Sequence, residues 1–247
     1  MIYFTINEIR QCYNFARAMR GNHNPDMIQH RYDWEIFRDD FRGKLGEVAV
    51  YKYIRERMPD AVIDQGIDYS VTPRGQWDIT DLTVNGKNIN VKSIKGKSQF
   101  LLVECNRYDE NGNYRYNNNN GENVRVDNYV LVRVFIDPEI GPGIFKIRSF
   151  DDFINRAWNS RIRKEVVRNI YAEVLGGISH EDFWAKKRRA ERGILCSVNN
   201  LRAIAAGVDI DHLPERVQGN EPQNKILKQN NYIIDSTTGL SNLEDIL

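Results

Sequence analysis

Trp77-Asp78-Ile79, an Asn85-Gly86 dipeptide and then Ile89-Asn90-Val91-Lys92 form the stretch of this chain best suited to chemistry, with Glu47 upstream. An acid, a second oxygen-bearing side chain and a lysine two residues further on are the groups needed to hold Mg²⁺ beside a phosphodiester and hydrolyse it. Mg²⁺ takes oxygen ligands in an octahedral shell, commonly one or two carboxylates completed by waters and substrate phosphate. It polarises a phosphoryl group and lowers the pKa of a bound water. A lysine alongside orients that water or offsets charge that develops in the transition state. Residues two apart on a strand share a face, so Asn90 and Lys92 point the same way, while Val91 points into the opposite layer and offers its carbonyl.

The elements that position these groups read as follows. Apolar residues Phe37, Phe41, Leu45, Val48 and Ala49 recur at three- and four-residue steps, which predicts a helix from about Trp34 to Arg57, stopped by Met58-Pro59-Asp60. Ala61-Val62-Ile63 is a short strand. Trp77–Val84 and Lys87–Ile94 flank Asn85-Gly86 as a β-hairpin. Phe100–Cys105 and Tyr129–Ile136 are further strands, joined by a polar insert from Asn106 to Asn123. Residues 1–33 read as a peripheral helical segment. After Ile147 helices are expected over Ser149/Phe150–Gly176, Ser179–Gly193 and Asn199–Ala206, with a short strand at Tyr232-Ile233-Ile234. The expected fold is α/β, a central mixed β-sheet flanked by helices, with a helical C-terminal part. The expected units are a core over 1–148 and a mostly helical part over 149–247, or two parts sharing one core.

Gly43-Lys44-Leu45-Gly46-Glu47 on the first helix, Gly75-Gln76-Trp77-Asp78-Ile79 entering one strand and Asn90-Val91-Lys92 on the next resemble the PD-(D/E)XK nuclease superfamily, restriction-endonuclease-like in fold. The match runs from about Trp34 to Glu104. The resemblance implies Asp78 as the central metal ligand, Lys92 as the catalytic lysine and Glu47 as an accessory acid on metal or metal-bound water. It places Asn90 and the Val91 carbonyl as further metal ligands. In a strict two-residue hairpin Asp81 faces Asn90, and alternation sends Asp78 to the face of Val91. A bulge would bring Asp78 back, and its Trp-Asp-Ile context favours it, with Asp81 in reserve. Asn90 departs from the family, which carries Asp or Glu there. The chain is then a natural variant relying on Glu47, a non-cutting relative, or an Asp-to-Asn form. The last is favoured because that change keeps shape and removes charge.

The chain has 247 residues and a net charge of +1, so net charge alone does not mark a polyanion-binding protein. Cys12, Cys105 and Cys196 lie far apart, which argues against a zinc ribbon or disulfide scaffold and suits a reducing cytosol. The start lacks a signal-peptide pattern, and no apolar run is long enough to span a bilayer, so a cytoplasmic location is expected. Arg161, Lys164 and Arg168 fall on one helical face, and Lys186-Lys187-Arg188-Arg189 form a second basic cluster. Both suit phosphate contacts. Arg74, Lys95 and Lys97 flank the site as backbone contacts. Arg115, Asn117 and Asn118 in the polar insert suit reading of base edges. Asp64, Asp68 and Glu104 could also approach such a site, but ordinary surface roles are expected for them.

Together these point to a Mg²⁺-dependent DNA endonuclease of type II restriction type acting on double-stranded DNA, as a homodimer where the resemblance holds. Alternatives are a structure-selective repair, resolvase or mobile-element nuclease, and a non-catalytic DNA-binding protein on a degenerate nuclease fold.

Overall fold

The structure, a computed structural model, describes residues 1–20, 32–71, 80–96, 98–109, 111–113, 124–158, 166–215, 227 and 230–247. Strand β1 (Ile2–Thr5) turns directly into helix α1 (Ile6–Ala18). Thr5 makes that turn: its hydroxyl accepts from the Glu8 amide, and the Glu8 carboxylate accepts from the Thr5 amide. This reciprocal cap satisfies donors that a helix start leaves open. Helix α2 (Asp33–Arg57) buries Phe37, Phe41, Leu45, Val48 and Ala49 on one stripe, the periodicity read from the sequence.

Strands β2 (Ile63–Gln65), β3 (Leu82–Val84) and β4 (Lys87–Lys95) follow. Asn85 and Gly86 both have positive φ, 50° and 73°, the left-handed turn whose twist matches a two-residue hairpin. The hairpin forms in the strict register, Val84 opposite Lys87 and Leu82 opposite Ile89. Next come β5 (Phe100–Glu104), β6 (Asn128–Ile136), the short helix α3 (Pro142–Phe145), α4 (Phe150–Trp158), β7 (Val166–Ser179), α5 (His180–Lys186), β8 (Arg188–Ala190), α6 (Val198–Ala205), β9 (Asn231–Asp235) and the single turn α7 (Ser236–Gly239).

Six strands form one mixed sheet in the order β1-β7-β6-β4-β3-β2, with β4 and β6 parallel and the other pairs antiparallel. A smaller antiparallel sheet has the order β5-β9-β8. One face of the large sheet packs on α1, α2 and α4 through Phe4, Ile9, Phe41, Ile89, Val132 and Phe153. The other face packs on the small sheet through Tyr129, Leu131, Val103 and Ile234. Phe100 and Ile233 on the far side of the small sheet meet Leu201 and Ile204 of α6.

Three expectations are corrected. The region after residue 148 is not a helical part. Its longest element is the 14-residue strand β7, paired with β6 on one side and β1 on the other. The β-branched and aromatic residues Ile170, Tyr171, Val174 and Ile178 favour a half-buried pleated strand, and Ile170 and Ala172 alternate into the core. Likewise the helix expected over Ser179–Gly193 stops at Lys186, and Arg188–Ala190 joins the small sheet. The expectations at α6 and β9 match the structure. The N-terminal segment is not peripheral either, since β1 is a strand of the large sheet and Ile9, Cys12 and Tyr13 are buried. Among the described residues no helix is long and apolar enough to cross a membrane.

Phe153, from the C-terminal half, lies among Tyr13, Phe37 and Phe41, with ring centroids 4.6, 6.0 and 5.9 Å away. Residues on both sides of position 148 therefore build the same core. Phe153→Ala is expected to cost about 3–5 kcal/mol and to leave a single cooperative transition in urea. Two separate transitions in the unmutated chain would contradict the shared core.

Candidate functional site

Strand β3 is short, and the residue before it, Asp81, stays at the edge of β4. Its amide donates to the Ile89 carbonyl at 3.1 Å, and its Oδ2 accepts from the Val91 amide at 2.6 Å. The Asp81 carboxylate thus takes a ladder position that a backbone carbonyl would otherwise fill. A strand residue directs its N–H and C=O to the same edge. The Val91 carbonyl therefore faces the edge that holds Asp81.

Asn90 and Lys92 project from one face of β4, beside Tyr129 and Leu131 of β6. Asn90 is 6% exposed, and its Oδ1 has no hydrogen-bond partner among the described residues. A buried amide oxygen in that state calls for a ligand, a water or an ion. Lys92 keeps slight solvent contact within densely packed surroundings. Burial pushes its pKa below the ordinary lysine value. Asp81, and then Glu104, oppose that shift, and Arg107 adds to it.

The structure seats Asp81, the reserve residue of the sequence reading, beside Asn90, Val91 and Lys92. Asp78 lies outside the described residues, as do Arg74, Lys97, Arg115, Asn117, Asn118, Arg161 and Lys164. Glu47 is placed elsewhere than expected. Its Oε2 accepts from Lys44 Nζ at 2.6 Å, and the same ammonium donates to the Asp68 carbonyl at 2.7 Å. Helix α2 packs on the β4 face that carries Val91 and Ser93, so closely that a Cβ at Gly46 would stand 1.9 Å from Ser93 Oγ. Lys92 projects from the other face. Asp64 accepts from the Gly86 amide in the hairpin turn, and the Asp68 carboxylate is held by Ser70.

Glu104 is a residue that the sequence allows near the site but expects in an ordinary surface role. It ends β5, in the other sheet, and its Oε2 accepts from Arg107 Nε at 3.0 Å. Val103 and Tyr108, on either side of this pair in the chain, pack with Tyr129 and Leu131. Strand alternation directs the Glu104 side chain to the face of Phe100 and Leu102, and its charge opposes the lowering of the Lys92 pKa.

The basic residues are dispersed. Lys95 is exposed at the end of β4. Lys187 lies over Trp184 and Tyr232, at 4.2 and 5.2 Å from the ring centroids, and donates to the Trp184 carbonyl; burial lowers its pKa. Arg188 is exposed and donates to the carbonyls of Lys186 and Lys187. The run Lys186–Arg189 straddles a helix end and a strand, and Arg168 is on β7 rather than on a helix.

Asp81 Oδ, Asn90 Oδ1 and the Val91 carbonyl are all oxygen donors, which suits a hard divalent cation such as Mg²⁺. Among the described residues no three His, Cys, Asp or Glu side chains converge as a metal-ligating group, so such a site draws on amide and carbonyl oxygen as well. Comparisons with protein-family models, curated proteins and solved structures give no match to this chain.

The lowered Lys92 pKa has a consequence for stability. Between that value and the ordinary 10.5 the unfolded chain binds a proton that the folded chain has shed, so Lys92 makes stability rise with pH across this window. Lys92→Met is therefore expected to be more stable than the parent at neutral pH, with the difference shrinking toward pH 10.5 in urea titrations. A less stable Met variant at neutral pH would show that the ammonium is held favourably.

Proposed function

We propose that this chain is a Mg²⁺-dependent endonuclease that hydrolyses phosphodiester bonds in double-stranded DNA, in the manner of restriction enzymes with a PD-(D/E)XK site. The observation that carries this reading is the Asp81 carboxylate held on the Val91 amide, directly beside Asn90 and Lys92. Asp81, Asn90 Oδ1 and the Val91 carbonyl would hold the ion. When bound, it supplies Lewis-acid polarisation of the scissile phosphoryl group.

The remaining roles belong to the chain. Asp81 is kept in place by its bond to the β4 backbone. Lys92, disfavoured as an ammonium by burial, releases its proton more readily than an exposed lysine and in that form accepts a hydrogen bond from an attacking water. As an ammonium it offsets charge on the phosphoryl oxygens. Lys95, at the exposed end of the same strand, is placed for backbone phosphate. A homodimer would cut both strands.

The second reading is a DNA-binding protein that retains the arrangement without cutting. Asn90 favours it, since an amide brings no charge where the family has a carboxylate.

Incubation with plasmid and phage DNA plus Mg²⁺ tests the proposal. Asn90→Asp is expected to cut roughly 10- to 100-fold faster than the parent, the worth of one charged contact of about 1.5–3 kcal/mol. Discrete fragments mark a sequence-reading enzyme, and cleavage confined to branched DNA marks a structure-selective one. Salt-sensitive DNA binding without cleavage by either form would replace the proposal with the second reading.

A further inference from the structure

We propose that the cavity beside Phe135, at the end of the large sheet, binds a nucleobase stacked on that ring, carried on a free nucleotide or at an unpaired position of a nucleic-acid strand. This does not rest on the hairpin metal site. Tyr171 of β7 pairs with Phe135 of β6 on one side and with Tyr3 of β1 on the other. Alternation puts all three rings on the sheet face that carries Lys92, away from the core residues Phe4, Ala172, Val134 and Ile136. The Phe135 and Tyr171 rings stack with centroids 4.5 Å apart at 15°, and Tyr3 follows at 5.8 Å. The small sheet covers Tyr129 and Leu131 of this face. In the next row Arg133 donates to the Ser98 carbonyl and pairs with Glu173. Phe135 and Tyr171 lie one row further and keep solvent contact, and Tyr3 is 41% exposed.

The aromatic row has an open place. The last β4–β6 pair is Lys95 with Val134, and the next step puts Gly96 beside Phe135. Gly96 turns the chain at a φ of 56°, and a Cβ added there would meet no atom within 4 Å. A cavity of about 390 Å³ lies here, with Gly96, Phe135 and Tyr171 in its lining. A planar ring inserted over Gly96 continues the row on Phe135. Such stacking accepts any base, because every base has a π-face. The polar lining suits the rest of a nucleotide. Arg168, exposed, and Lys95, next to Gly96, are placed for phosphate. Asp137 and Asn169, joined by a backbone hydrogen bond of 3.0 Å, bring a carboxylate and an amide for the donors and acceptors of a base edge. Glu139 also lines the cavity, but both its oxygens accept from Arg42, which compensates its charge.

Fluorescence titration of the full chain in EDTA tests this, with 2-aminopurine as the probe base, which dims when it stacks. One probe is the 2-aminopurine deoxynucleoside monophosphate. The other is a single-stranded oligodeoxynucleotide with that base at its centre. The parent is expected to quench at least one of them. A response to the monophosphate assigns a nucleotide site, and a response to the strand alone assigns an unpaired base. Phe135→Leu, which keeps apolar packing, should weaken binding about tenfold or more. Gly96→Asn fills the open place with a residue that tolerates positive φ, and should weaken binding similarly. Phe135→Trp should bind as well as the parent or better. Arg168→Gln should reduce the salt dependence. Melting temperatures check that each variant folds. Absence of quenching of both probes by the parent overturns the proposal and leaves the row as a contact between strands only. Quenching that Phe135→Leu and Gly96→Asn leave unchanged places binding elsewhere and overturns it as well. With no metal present, either outcome leaves the nuclease reading untouched.

Discussion

The hydrogen bond from the Val91 amide to the Asp81 carboxylate fixes the geometry of the candidate site. It fastens an acid to the edge of β4 just where β3 begins, and it does so in the plane of the sheet rather than above either face. Asn90 and Lys92 rise from one face beside it, and the Val91 carbonyl lies at the same edge. Charge-assisted bonds of this kind are among the stronger ones in proteins. The hairpin turn at Asn85-Gly86 sets the register that makes the bond available, so a local backbone preference fixes the spacing of the candidate ligands.

The two faces of the large sheet divide the labour. The helical face is a packed apolar core, with Lys44 and Glu47 forming a buried pair between α2 and the Asp68 backbone. Breaking such a pair exposes an uncompensated charge, which is why it is best understood as holding the segment after β2 against α2. The opposite face is roofed by the small sheet. That roof desolvates Lys92 and brings Glu104 and Arg107 near it, so the same packing that destabilises the ammonium also assembles the charges around it. A fold that tolerates a half-buried lysine at some cost to stability is behaving as functional sites commonly do.

The sequence made several elements legible. The α2 stripe, the Asn85-Gly86 hairpin, β6, β9 and α6 follow from periodicity and turn chemistry. Register reasoning alone put Asp81 opposite Asn90; attention to the Trp77-Asp78-Ile79 context drew the choice to Asp78. What was not legible arose from tertiary pairing. β7 reads as helix in part because Arg161, Lys164 and Arg168 follow a helical step, yet two neighbouring strands select the extended form for its β-branched run. Glu47 sat at the expected place on its helix, but the helix presents it to Lys44 instead of to Lys92.

The most direct test of the central claim is an amide NMR titration of the full chain with substoichiometric Mn²⁺. The paramagnetic ion broadens signals near its binding site before others. The account predicts that the Asn90 side-chain amide and the Val91 backbone amide broaden first, ahead of the Gly46 and Glu47 amides across the sheet. Broadening that spares Asn90 and Val91 and begins elsewhere would contradict it.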